Sequence, residues 1–277
     1  MSTTTATVTS PAPAGTLTRR RERAVPDPIP TRRIAAVELR KMFDTRSGFW
    51  LMMSIGILAV IATTATIIFA PEDELTYEAF AAAIGFPMAV VLPMIAILSV
   101  TSEWSQRSAL TTFTLVPSRG RVIAVKAFCF VAVGVVSMLV AAAVGALGNV
   151  IGTAIVGVDT SWNLPLVDFG LIILANVLGM LAGFMLGVVF RNSAGAIVGY
   201  FVMTLVLPGI GEALRSTSEW FRDNQSWLDF SIATSRLFEG TDGLTAEAWA
   251  QVGFTTLVWV MIPLTIGMRF LLRSEVK

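Results

Sequence analysis

Three lysines, one cysteine, eight aspartates and no histidine are the groups with which this chain could do chemistry. Without histidine there is no His-activated serine, no His-Glu-x-x-His site and no ordinary zinc ligand set. The aspartates (Asp27, Asp44, Asp73, Asp159, Asp168, Asp223, Asp229 and Asp242) all fall outside the long apolar stretches, so no intramembrane aspartyl pair is expected. None of Lys41, Lys126 and Lys277 follows a glycine, which rules out a phosphate loop of the Gly-x-x-x-x-Gly-Lys type. Cys129 has no partner for an intrachain disulfide and reads as a packing thiol. The sequence is therefore not read as an enzyme: it has no nucleotide-binding loop, no metal site and no catalytic residues of its own.

What remains is architecture. Six apolar stretches, 49–70, 79–101, 127–148, 169–190, 194–211 and 249–268, carry no charge, and most approach or exceed the roughly 20 residues a helix needs to cross a bilayer core of about 30 Å. The gaps between them alternate in sign. With both termini on the cytoplasmic side, only Arg215, Arg222 and Arg236 of the 20 Lys and Arg lie outside, whereas 13 of the 19 Asp and Glu do. Tryptophans sit at stretch ends or in loops, Trp259 excepted, as in an interfacial belt. The expected fold is an all-α integral membrane protein with six transmembrane helices and cytoplasmic termini, 55% hydrophobic and 14% charged overall. Proton-coupled carriers normally keep a charge mid-membrane; these stretches have none, nor is an inverted internal repeat apparent.

Residues 1–30 are rich in Ser, Thr, Ala and Pro with an arginine cluster at 19–23, a composition that cannot bury a core and reads as a disordered cytoplasmic tail. The paired arginines do not read as an export signal, because the next apolar run is distant and of full spanning length. Basic residues near headgroups contribute about 1 kcal/mol each. From Thr31 the pattern turns helical: Ala35, Leu39, Met42 and Phe43 share one face, with Arg33, Arg40, Lys41 and Asp44 opposite. This predicts an amphipathic helix in the headgroup plane before the first span, either as an anchor or also as a docking element.

Between the second and third spans, the stretch after Glu103 suits a short helix at the cytoplasmic surface, polar through Ser108, Thr111, Thr112 and Thr114 and stopped by Pro117. Read alone, Glu103, Arg107 and Arg119 are solvated headgroup-level charges. Together with the topology, the loop resembles the permease subunit of a type-2 ATP-binding-cassette transporter of the bacterial exporter type. The resemblance rests on a Glu-x13-Pro-x-Arg pattern with a following Lys, at Glu103, Pro117, Arg119 and Lys126. Glu38-Leu39-Arg40-Lys41 and Arg46 resemble the family's connecting helix. Many relatives have glycine where this chain has Arg107. The resemblance covers 31–277, the six-helix permease domain, and implies a coupling surface at Glu103, Arg107, Thr111, Pro117 and Arg119. It further implies a homodimer in the plasma membrane, with a separate cytoplasmic ATPase subunit that binds the ATP and Mg, and no cofactor on this chain.

Helix packing is foreshadowed by small residues. Gly179, Gly183 and Gly187 recur at four-residue spacing, and Gly195 and Gly199 follow beyond the tight turn Arg191-Asn192-Ser193. These stripes pack most simply within one subunit, with a dimer seam as the other option. Pro87, Pro93, Pro208 and Pro263 are expected to kink their helices. Asn176 reads as a mid-membrane amide bonded to a neighbouring helix or lining a path. By resemblance the cargo path lies between spans two and five of opposed subunits, which makes Phe86, Met94, Tyr200 and Met203, with Asn176, the candidate lining. The aromatic, acidic segment at about 212–248 is either a lid dipping into the outer interface or a passive connection. Uncharged spans favour a lipophilic or amphipathic cargo; membrane lipid is a partner and nucleic acid is not. The alternative is a non-transporting membrane assembly or sensor protein that binds others through its glycine stripes, and a stand-alone channel is weaker still for want of a wet polar helix face.

Overall fold

The computed structural model describes residues 29–44, 46–105 and 119–273, which are helical apart from short connections, with no β-strand among them. Helix α1 (Thr31–Asp44) precedes α2 (Arg46–Phe69), and a 3-10 turn (Glu72–Glu74) leads to α3 (Tyr77–Ser105). Helices α4 (Arg119–Val156) and α5 (Leu166–Phe190) follow. Next, α6 (Ser193–Phe201) runs through a π turn (Val202–Val206) into α7 (Leu207–Thr217). Helices α8 (Glu219–Leu228) and α9 (Phe230–Ser235) and 3-10 turns at Arg236–Phe238 and Thr241–Gly243 come next. The chain closes with α10 (Ala246–Thr256), a second π turn (Leu257–Met261) and α11 (Ile262–Arg273).

Among the described residues, six stretches are long and apolar enough to cross a membrane: Gly48–Phe69, Tyr77–Ser102, Gly120–Val156, Leu166–Phe190, Ser193–Thr217 and Ala246–Leu271. This is the architecture of an all-α, multi-pass membrane protein. One end of the bundle is basic, with α1 and the start of α4; the other is acidic, with Glu72, Asp73, Glu74 and Asp159 in its loops. Helix α4, at 38 residues, is about 57 Å long and overruns a bilayer core of about 30 Å.

Helix α5 is the centre of the bundle and packs on α3, α4, α6 and α11. Its core contact with α4 is aromatic, the Phe130 and Phe184 ring centroids lying 5.0 Å apart among Leu92, Met88 and Met180. The turn from α5 to α6 is tight because Arg191 adopts φ 52, its N–H closing on the Gly187 carbonyl at 3.0 Å. Asn192 then caps α6, accepting from the Gly195 amide at 3.0 Å.

The four prolines behave in two ways. Helix α3 continues without a break through Pro87 and Pro93. Pro93 cannot donate to the Ala89 carbonyl four residues back, and the Tyr200 hydroxyl donates to that oxygen instead, at 3.1 Å. Pro208 and Pro263, by contrast, each stand two residues beyond a π turn. There the ladder is reset by the Leu207 N–H bonding the Val202 carbonyl and the Ile262 N–H bonding the Leu257 carbonyl. The wider turn moves the fourth carbonyl away from the proline ring.

The connection after α7 is neither flat nor loose. Helix α8 descends from the acidic end, and its last residue, Leu228, accepts from Trp259 Nε1 in the second π turn at 2.7 Å. Phe230 is buried in one cluster with Met203 and Val260, from the first and second π turns. Helix α9 and the following 3-10 turn climb back, packing Ala233 and Leu237 on Leu171, Ala175 and Val252. The segment is a re-entrant hairpin. Asp229, outside every span in sequence, therefore sits at the depth of the π turns, its carboxylate accepting from the Ser231 and Ile232 amides at 2.8 and 3.2 Å.

Candidate coupling surface and helix seats

At the basic end, α1 lies across α4 and α2. Its buried face is Ile34 and Glu38, with Met42 partly buried against the main core, while Leu39 and Phe43 are exposed. The four residues that the sequence placed on one helical face, Ala35, Leu39, Met42 and Phe43, divide by exposure, Ala35 and Met42 being partly buried and Leu39 and Phe43 exposed. The helix has three faces: Ile34, Glu38 and Met42 against the protein, Leu39 and Phe43 outward, and Arg33, Arg40 and Asp44 in the exposed polar sector. Arg40 pairs loosely with Asp44 at 3.7 Å.

Glu38 is buried because cations are buried with it. Lys126, in the second turn of α4 and only 3% exposed, donates to Glu38 Oε2, and Lys41 donates to Oε1 at 2.8 Å. Around the pair, Ile34, Val125 and Cys129 form a small apolar cluster with Ile29 and Ala35, and Cys129 Sγ lies 3.8 Å from the Ala35 carbonyl. Arg121 reaches back to the Thr31 hydroxyl, its Nε at 3.2 Å. Polar bonds at two levels and an apolar contact thus fasten α1 to the start of α4.

Burial alone would push the Glu38 carboxyl up; the Lys126 ammonium, helped by Lys41, outweighs it and holds the group below its ordinary value of 4.5. The sign follows: a carboxylate with a depressed folded pKa adds stability that is complete above that ordinary value and lost as pH falls through the folded one. The wild-type thermal midpoint should therefore fall more steeply below about pH 4.5 than that of Glu38→Gln, measured by intrinsic tryptophan fluorescence from pH 7 downward.

The other residues of the coupling surface named from sequence, Arg107, Thr111 and Pro117, lie outside the described residues. So do the side chains of Glu103 and Arg119, whose backbones end α3 and begin α4. Near the end of α3, the Thr101 and Ser193 hydroxyls are 2.7 Å apart, tying the second span to the fifth.

The glycine stripe of α5 faces α3. A Cβ at Gly183 would lie 2.7 Å from the Pro93 carbonyl oxygen; one at Gly187 would meet the Ile97 carbonyl at 3.3 Å, and one at Gly179 the Tyr200 hydroxyl at 3.5 Å. Gly195 and Gly199 instead face Phe190 across the α5–α6 turn. Of the candidate cargo-path residues, Tyr200 and Met203 are buried in one cluster with Met94 packed against it. Phe86 is 80% exposed on the bundle surface. Asn176 is buried and donates to the Ile172 carbonyl of its own helix at 2.9 Å, an intrahelical bond rather than one to a neighbour. With six candidate spans among its described residues, the fold is that of a multi-pass, all-α membrane protein; no protein-family model and no curated protein matches the chain.

The sequence reading missed the Glu38–Lys126 pair. Its signals were a glutamate four residues after Ile34 and a lysine at the very edge of an apolar stretch.

Proposed function

We propose that this chain is the membrane-spanning permease subunit of an ATP-binding-cassette exporter of the plasma membrane. Two copies form the membrane domain, with the basic end and both termini cytoplasmic. Each docks a separate ATPase subunit that holds the ATP and Mg. The cargo is lipophilic or amphipathic, in keeping with the six apolar stretches 49–70, 79–101, 127–148, 169–190, 194–211 and 249–268, which carry no charge.

The observation that carries this reading is the buried Glu38–Lys126 pair. Both positions belong to the resemblance, Glu38 through the connecting helix and Lys126 through the loop pattern. Their union makes α1 and the head of α4 one solid corner at the basic end. A push on the surface at Glu103, Arg107, Thr111, Pro117 and Arg119 from an ATPase would be delivered into the third span rather than absorbed by a loose helix. Closure of the ATPase subunits biases a membrane domain with two arrangements, and the binding energy of ATP lies in the partner.

Glu103→Ala or Arg119→Ala should lower cargo-stimulated ATPase activity of the reconstituted complex about ten-fold or more while leaving the amount of membrane-inserted protein unchanged. Activity equal to wild type in both variants would remove the coupling surface from this reading.

A further inference from the structure

We infer that residues 207–256 move as one block about two proline-linked π turns and act as a lid on the acidic end of the bundle. The inference stands on the geometry of this chain and needs no partner.

The two π turns, Val202–Val206 and Leu257–Met261, are built alike, each followed at the same interval by a proline. Helices α7 and α10, which rise from them to the acidic end, are 11 residues each. Both turns therefore lie about 16 Å from the acidic end of their spans, close to half of a bilayer core of about 30 Å. Two soft points at one depth define an axis. At each, a five-residue bond replaces the usual four-residue one and the next proline removes a donor, so the backbone bends there at least cost. Helix α3 is the contrast: it stays α-helical through Pro93, and the Ala89 carbonyl that the proline leaves without its rung is taken by Tyr200.

All the chain between the two turns is one continuous stretch, and it holds together. Helix α8 packs on α7 and α10, and α9 packs on α8 and α10. The Trp227 and Phe254 rings meet edge-on at 5.9 Å, and Arg236 donates to the Ser226 hydroxyl at 3.0 Å. The hairpin tip, Leu228 to Phe230, rests at the two turns themselves, where a hinged block moves least. The block grips the rest of the bundle at three places: Phe230 among Ile97, Ala182 and Met185 at the tip, Ala233 and Leu237 on Leu171 and Ala175, and a latch at Asp168. Asp168 Oδ1 accepts the Thr241 amide at 2.9 Å, and Gly240, at φ 80, folds closely over the same carboxylate.

The test is a distance measurement by electron paramagnetic resonance. Spin labels are placed at Trp220→Cys on α8 and Asp159→Cys in the loop between α4 and α5, both exposed, in a Cys129→Ala background. The full chain is held in lipid nanodiscs and diluted with unlabelled chain, so that only distances within one chain are read. Two distance populations are expected. Asp168→Ala should raise the longer one several-fold by removing a bond to a charged acceptor. Pro208→Ala with Pro263→Ala should leave a single population by restoring the α-helical ladder. A single narrow distance in the parent, unmoved by Asp168→Ala, would overturn the lid. Two populations that ignore both sets of variants would overturn the hinges. Neither failure touches the permease reading, which stands or falls on the ATPase partner.

Discussion

Gly183→Leu should part the second and fourth spans and cost at least about 3 kcal/mol, the upper range for forcing atoms into a filled core. The added Cβ would stand 2.7 Å from the Pro93 carbonyl oxygen and 3.2 Å from Pro93 Cβ, so the first atom of any side chain already collides with backbone. Backbone cannot swing aside as the end of a methionine can. Nor can α3 back away freely, because Ala89 is bonded to Tyr200 just below and Ile97 packs into α5 above. In a membrane, where lipid leaves little hydrophobic force between helices, this close approach is itself a principal source of attraction. Gly179→Ala is the control: its Cβ would meet nothing nearer than 3.5 Å, and it should change stability by under about 1 kcal/mol. Unfolding in mixed micelles, followed by tryptophan fluorescence as sodium dodecyl sulfate is raised, reads both. Equal midpoints for the two variants would contradict the packing described.

Lys126→Met should be nearly as damaging, about 3 kcal/mol, since it leaves the buried Glu38 carboxylate with only Lys41 to oppose its desolvation. The loss lies in the uncompensated charge rather than in the value of the bond. Glu38→Leu together with Lys126→Met should therefore recover to within about 1 kcal/mol of wild type, an apolar pair replacing an ionic one. The same micelle titration gives the single and double variants side by side. A double variant no more stable than the single would mean that the charges are not each other's partner.

The spans were legible because continuous apolar length is written locally, one residue after another. Features that depend on who meets whom across the fold were not. Glu38 looks like a surface residue in a basic helix until Lys126, 88 positions later, is laid against it. The hairpin at α8 and α9 carries acids and arginines in the proportions of a connecting loop, and only its burial of Leu237 and Ala233 shows that it descends into the bundle. The prolines announced irregularity without its form: Pro93 is absorbed by a hydroxyl from another helix, whereas Pro208 and Pro263 are met by π turns in their own. The glycine spacing announced a close approach, but spacing on one helix does not name the helix opposite, which is α3.

The central claim is that this chain works with an ATPase it does not contain. The most direct measurement is affinity purification of the tagged chain from the membranes of its own host in mild detergent, with mass spectrometry of what stays bound. The account predicts a near-stoichiometric subunit carrying a phosphate-binding Gly-Lys loop, in a complex that hydrolyses ATP. Its reproducible absence from an otherwise intact preparation would contradict the account and leave a membrane assembly or sensor protein as the reading to pursue.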